Sequence, residues 1–286
     1  MEYLMTYGWA ILIIAVVLGA LFQLGVFSGI GTPRAQAGNC QVIKAGSGIT
    51  QTVSLAGECQ GQEPEYVAQF NGAANMLGSF SGGLPVGPVT SVTLTAWIYD
   101  PTNSNIAALA AGSSTYGCTS HLYEAGLNSY SVNVISYHGC CNDYGSAPPS
   151  GGWNRADGKW HFIAVAYNSS MQMIAFAMDG NYQTDSWGSA ANMIGGQTIL
   201  LGQDACDHWY FTGSEADLQL YNTSLSPAEL TALYQEGIGG APIRPQNIVG
   251  WWPLNGNGND YSGNNNNLEN DGVTFSSSWT NGYTPP

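Results

Sequence analysis

Three sets of side chains in this sequence have the types and spacing to do chemistry. The first is SEADLQL, residues 214–220. Hydrolysis of a glycosidic bond with retention needs two carboxyl groups about 5 Å apart, and alternation along a strand would put Glu215 and Asp217 on one face. The second set is Cys118-x-x-His121, His138-x-Cys140-Cys141 and Cys206-x-His208. Thiolates and imidazoles in such numbers are zinc ligands. The third set fills two segments, YHGCCNDYGSAPPSGGWNRADG (137–158) and DACDHWYFTG (204–213). Here Tyr144, Trp153, His208, Trp209 and Tyr210 stand beside Asn142, Asp143 and Asp204. Sugars stack their C–H faces on rings and hydrogen-bond to amides and carboxylates, so these are the side chains of a glycan site. The competing reading has the same rings capping sheet edges or covering contacts between subunits.

The cysteines favour disulfides over zinc. The chain has 6 Cys, 38 Gly and very few Lys, a composition that suits an oxidising, extracytoplasmic setting. Cys40 and Cys59 bracket QVIKAGSGITQTVSLAGE, two strand-like runs about a Gly-Ser-Gly turn, and a bond between them would close a small hairpin over 40–65. Cys140 and Cys141 are adjacent and bond each other with difficulty, so Cys118 and Cys206 would each take one. Asp204 and Asp207 are the calcium candidates, although two carboxylates fall short of the six or more oxygens that calcium takes. No other cofactor is expected. Two sequons, Asn168-Ser-Ser and Asn222-Thr-Ser, sit in expected turns and offer glycosylation sites.

The charge balance excludes one class of partner. Lys+Arg number 5 against 19 Asp+Glu, for a net charge of −14, while charged residues make up only 8%. Binding a phosphate backbone needs several cations on one surface, so nucleic acid is not a partner.

The positioning elements begin with MEYLMTYGWAILIIAVVLGALFQLGVF. From Tyr3 to Phe27 there are 25 residues without a charged or histidine side chain. As a helix the run spans about 38 Å, enough for a hydrocarbon core of about 30 Å. It is apolar all round and must be buried in lipid or protein. The segment 1–29 is therefore expected to be a hydrophobic helix, with SGIGTPRAQAGN leading through a linker at 30–39. Glu-Tyr-Leu followed by MTYGWAILII resembles the N-terminus of archaeal type IV pilins with class III signal peptides. In that family a peptidase removes a basic leader, and the mature helix passes from the membrane into a filament core. Here only Met1 precedes Glu2. The resemblance implies that Glu2 pairs with a neighbouring subunit's terminal amine, and that Tyr3, Leu4, Trp9, Ile13, Val17 and Leu21 pack in the core of a homopolymer.

The remainder reads as strands. SVTLTAWIY (91–99) alternates, with Val92, Leu94, Ala96 and Ile98 on one face and Thr93, Thr95, Trp97 and Tyr99 on the other. WHFIAVAYNSSMQMIAFAMDG (160–180) gives two more strands, TILLG (198–202) another and DLQLYN (217–222) another. Many short runs between Gly, Asn, Asp and Pro argue for a mostly β sandwich. One short helix is expected near 226–236: Ser226 is its N-cap, Pro227 its first residue and Glu229 closes a capping box. Gly237 ends it, and Leu225, Leu230 and Leu233 face the sheet.

DGKWHFIAVAYNSSMQMIAFAMDG and FTGSEADLQLYNTSLSPAELTALY resemble the central hairpin and the closing strand–helix of laminin-G-like, concanavalin A-like jelly rolls; YVAQFNG and LTAWIY match early strands. The resemblance implies a jelly-roll head over 66–286. Glucanases of that superfamily carry E-x-D-x-E on one strand; here Gln219 stands in the third place, and the surrounding residues match the family's non-catalytic strand. IVGWWPLNGNGNDYSGN resembles the family's first strand yet comes last, within 248–275. The resemblance implies a circular permutation, with this segment completing its own sheet or a neighbour's.

Together these readings describe a cell-surface filament subunit that is not an enzyme. Its helices pass through the membrane before assembly, and its jelly-roll head serves adhesion with glycans as ligands. The alternatives are a membrane-anchored surface lectin that does not polymerise and a membrane-tethered glycoside hydrolase.

Overall fold

A computed structural model describes residues 40–46, 49–55, 63–79, 91–101, 106–113, 121–128, 131–135, 157–168, 173–186, 198–203 and 210–286. The chain divides into two compact units, Met1–Gln36 and Ala37–Pro286, and all described residues belong to the second. The expected hydrophobic helix with Glu2, Tyr3, Leu4, Trp9, Ile13, Val17 and Leu21 lies outside the described residues. Among those described, no helix is long and apolar enough to cross a membrane.

Strands β1 (Cys40–Gly46) and β2 (Ile49–Leu55) form a two-stranded antiparallel hairpin, with Cys40 opposite Leu55. The head follows in chain order: β3 (Val67–Asn71), β4 (Asn75–Ser79), β5 (Ser91–Tyr99), β6 (Ile106–Ser113), β7 (His121–Asn128), β8 (Ser131–Ile135) and β9 (Trp160–Asn168). Next come β10 (Met173–Met178), β11 (Asn181–Ser186), β12 (Thr198–Leu201), β13 (Thr212–Tyr221) and helix α1 (Pro227–Glu236). Strands β14 (Ile248–Trp252), β15 (Leu268–Asp271) and β16 (Thr274–Ser276) close the chain. Eight strands make one sheet, in the order β11-β10-β9-β5-β13-β3-β16 with β14 beside β13. Six make the other, in the order β15-β4-β12-β6-β7-β8. Among the described residues every pairing between named strands is antiparallel, and one isolated parallel bridge joins Asn75 to Gly272.

The alternation in β5 is realised as expected. Val92, Leu94, Ala96 and Ile98 join the core between the sheets with Phe70, Met76, Ile199, Leu201 and Trp252. Thr93, Thr95, Trp97 and Tyr99 take the other face. Strand β9 is apolar on both sides for a physical reason: its outer face is covered too. Helix α1 and residues 277–283 lie there, and Leu225, Leu230, Leu233, Trp279 and Tyr283 pack with Trp97, Trp160, Phe162 and Trp251. Burying each of the helix leucines contributes about 1.5–3 kcal/mol. The helix starts with the expected capping box, in which Glu229 N–H donates to Ser226 and Ser226 N–H donates to Glu229, and it stops at Gly237.

Residues 248–276 supply three strands rather than one. Strand β14 pairs with β13, β15 with β4 and β16 with β3, all within the same chain. The far edge of β14 is closed by its own following loop. Tyr261 N–H donates to Trp251 O at 2.7 Å, Asn266 Nδ2 to Val249 O at 2.7 Å, and Asn264 Nδ2 to Ile248 O at 2.9 Å. Asp260 holds that loop by accepting from the N–H groups of Trp251, Ser262 and Asn266 at 2.8–3.0 Å. An edge strand left open would invite pairing with another chain; here the D-x-S-G-N-x-N sequence satisfies it locally.

Candidate functional site

The described ends of both aromatic segments singled out in the sequence, residues 157–158 and 210–213, lie at one end of the larger sheet. Segment 137–158 leads into β9 and segment 204–213 into β13. In the sheet Tyr99, the last residue of β5, is paired with Trp160 on one side and Ser214 on the other. The two segments therefore enter the sheet two strands apart, about 10 Å at the usual strand spacing, on either side of Tyr99. Asp100, next in the chain, is fully buried at the same rim.

The first foot is pinned by His161. Its Nδ1 lies 2.6 Å from Asp179 Oδ2 and its Nε2 lies 3.0 Å from Asp157 Oδ1. Both ring nitrogens can donate to the two carboxylates at once only when the ring is an imidazolium. Burial pulls the His161 pKa down, but Asp179 and Asp157 together more than offset it, and the net shift is upward. Burial opposes ionisation of Asp157 as well, but His161 and then Lys159 outweigh it and leave its pKa lowered. Asp179 also accepts from Phe162 N–H at 2.9 Å, with its own N–H donating to Phe162 O at 3.0 Å. Its left-handed φ of 50° fits the turn before Gly180. Asp157 closes the 137–158 segment, so this clamp fixes the base from which that segment leaves.

The second foot is a bridge between Gln203 and Tyr210. Gln203 is fully buried, and its Oε1 accepts from Asn75 Nδ2 at 2.8 Å. Phe211 N–H donates to Gly202 O at 2.8 Å, and Gly72 N–H donates to Phe211 O at 3.0 Å. The β3–β4 turn is thereby tied to this base, with Asn71 Oδ1 accepting from Ala73 and Ala74 N–H at 3.0 Å. Asn75 pairs in turn with exposed Asp271. The rim beside the Gln203–Tyr210 bridge is thus built of amides and a carboxylate.

Of the expected glycan residues, Tyr210 is described, half-buried at the foot of its loop. Asn142, Tyr144, Trp153, Asp204, His208 and Trp209 lie outside the described residues, as do calcium candidate Asp207 and Cys59, Cys118, Cys140, Cys141 and Cys206. Among the described residues no group of three or more His, Cys, Asp or Glu is arranged to hold a metal ion. Asn168 ends β9 half-buried; Asn222 is exposed and accepts from Asn247 Nδ2 at 3.0 Å. His161, Asp157, Asp179, Gln203 and Asn75 were not anticipated as site residues. The W-H and D-G dipeptides were visible, but only as strand and turn.

The expectation that Glu215 and Asp217 could share a face is corrected. Glu215 pairs with Ala68 and Ile98, both of the inner core. A bulge between Ala216 and Gln219 inserts Asp217 as an extra residue at φ 50°. Its carboxylate turns to the outer layer, where it accepts from Trp251 Nε1 at 2.7 Å and from Gln219 Nε2 at 3.0 Å. Gln219 Oε1 accepts from Tyr221 OH at 2.5 Å. Glu215 is fully buried with neither oxygen hydrogen-bonded, and burial pushes its pKa well up. One carboxyl lies inside the sandwich and the other outside the sheet, so they cannot flank one substrate bond.

A model of the concanavalin A-like lectin/glucanases superfamily, of laminin-G type, matches residues 79–231, just over half of the sequence. The chain belongs to this superfamily. Solved structures agree on the superfamily's fold. A proposed carbohydrate-binding protein from Bacteroides ovatus ATCC 8483 superposes with a TM-score of 0.56 at 12% identity, over 75% of this chain and 60% of that one. The present chain therefore spans 60% of that relative, under two thirds of its length. A native heptameric SAP-like pentraxin from Limulus polyphemus gives 0.55 at 16% identity, over 76% of this chain and 97% of the other. No curated protein matches the chain.

Proposed function

We propose that the head is a glycan-binding module and that its ligand rests at the loop-bearing end, between the 137–158 and 204–213 segments. The observation that carries this reading is the convergence of the two segments on Tyr99. They are far apart in sequence, both combine rings with amides or carboxylates, and they enter the sheet on either side of one residue. Superfamily membership supports binding, and the separation of Glu215 from Asp217 removes the acid pair that the hydrolase alternative required. Retention of the full chain on immobilised glycans tests the reading: Trp153→Ala and Trp209→Ala should each weaken it, and no retention on a broad panel refutes it.

The head belongs, in this proposal, to a type IV pilin-like filament subunit at the cell surface, with residues 1–29 as the assembling helix. The pilin-like sequence from Glu2 to Phe27 supports this. Electron microscopy of material sheared from native cells decides it. Filaments cored by residues 3–27 support the subunit, whereas retention in the membrane fraction without filaments favours the anchored lectin. The superfamily match ends at 231, before β14–β16, which supports reading 248–275 as a permuted first segment.

A further inference from the structure

The sequence holds four Asn-Gly steps, at 71–72, 255–256, 257–258 and 281–282. At such a step the backbone nitrogen of glycine can reach the preceding carboxamide carbon, since no side chain hinders it. Three of the four are tied down. Asn71 Oδ1 accepts from two N–H groups, and Gly72 N–H donates to Phe211 O at 3.0 Å. Asn255 Oδ1 accepts from Tyr66 N–H at 2.7 Å, and Gly256 N–H donates to Leu254 O at 3.2 Å. Asn257 Oδ1 accepts from Asn259 N–H at 2.9 Å. Asn281 differs: its side chain is exposed and makes no hydrogen bond to another described residue.

We propose that Asn281 is a deamidation site that loosens the C-terminal seal of the head. Gly282 N gives its proton to solvent base and attacks Asn281 Cγ. A C–N bond forms to the backbone nitrogen, the bond to the carboxamide nitrogen breaks, and that nitrogen leaves as ammonia. No electrons are transferred. Water then opens the succinimide ring at either carbonyl, leaving aspartate or isoaspartate at 281.

The position gives the reaction a structural consequence. The turn is closed by Tyr283 N–H donating to Thr280 O at 3.1 Å. On either side of it, Trp279 Nε1 donates to Pro64 O at 3.0 Å, and Tyr283 OH accepts from Ile238 N–H at 3.1 Å. Gly282 O accepts from Trp160 N–H at 3.0 Å. There is no slack: a Cβ on Gly282 would sit 2.3 Å from Gly158 O. Isoaspartate adds a methylene to the main chain inside this turn, so these contacts cannot all be kept. The aromatic layer of Trp97, Trp160, Trp279 and Tyr283 is what they seal.

The test is peptide mapping by mass spectrometry of the full chain after incubation at mildly alkaline pH, in native buffer and in urea. Holding a carboxamide by even one hydrogen bond slows attack about ten-fold. Native protein should convert Asn281 about ten-fold faster than Asn71, Asn255 and Asn257, while in urea the four rates converge. Asn281→Ser should abolish the fast phase. The isoaspartate form should exchange the Trp160 and Ile238 amide hydrogens faster. Equal rates in the native protein, a faster reaction at another of the four, or unchanged exchange in the isoaspartate form overturns the proposal.

Discussion

Glu215 and Asp217 stand two positions apart on β13 and face opposite sides of the sheet. A single bulged residue does this. Beyond it the edge of β13 changes partner, from β3 at residues 212–215 to β14 at 218–221, and Asp217 N–H bonds to Pro253 O across the junction at 3.1 Å.

Glu215 is a cost to the fold. Both its oxygens are buried without hydrogen bonds, and its folded pKa lies above the unfolded value of about 4.3. The penalty for its charge is therefore absent below about pH 4.3 and grows as pH rises towards the folded value, where it is complete. Glu215→Met should stabilise the chain at pH 7 by about 1–3 kcal/mol, with the gain shrinking towards acid. Denaturant titrations at pH 4 and pH 7 check both parts.

Asp217 does the reverse. Asp217→Ala orphans the buried Trp251 indole N–H and takes one acceptor from Gln219 Nε2, which keeps Gly240 O at 3.1 Å, and should destabilise by about 2–4 kcal/mol. Asp217→Gly loses the same hydrogen bonds but adopts φ 50° freely. It should be about 1 kcal/mol less harmful than alanine, as thermal or chemical denaturation would show.

The His161 clamp has a pH window. The folded His161 pKa lies above about 6.5, so its contribution is whole below that pH and drains as pH rises through the folded value. Asp157 lies below its unfolded value of about 3.9, so its share is whole above that pH and lost as pH falls through the folded value. The clamp is complete from about pH 4 to 6.5. His161→Gln should flatten the loss of stability above that window, and an imidazole titration by NMR should give a midpoint above that of free histidine.

The edge of β14 is the fourth point of weakness. Asp260→Ala removes the acceptor that organises residues 260–266. It should destabilise by about 2–3 kcal/mol and produce association that grows with concentration, since an open edge recruits another strand. Sedimentation at several concentrations measures it.

Much of this was legible in the sequence because the determinants are local. The Ser226 capping box, Pro227 and Gly237 mark α1 within twelve residues, and the alternation in 91–99 sets the face of every β5 side chain. The bulge was not legible. SEADLQL alternates without interruption, and what breaks it is the indole of Trp251, 34 positions further on; the one faint signal is that aspartate tolerates a left-handed backbone. The His161 clamp was hidden for a similar reason, because Asp179 reaches it across the β9–β10 hairpin. The convergence of the aromatic segments on Tyr99 depends on strand order, which periodicity does not carry.

The central claim is that a glycan lies across the rim between the two segments. Hydrogen–deuterium exchange of the full chain, with and without a glycan that retains it, measures this most directly. The account predicts protection at residues 98–101, 157–161 and 210–214 together, and none on the α1 side. Protection confined elsewhere, or none at a saturating glycan concentration, would contradict it.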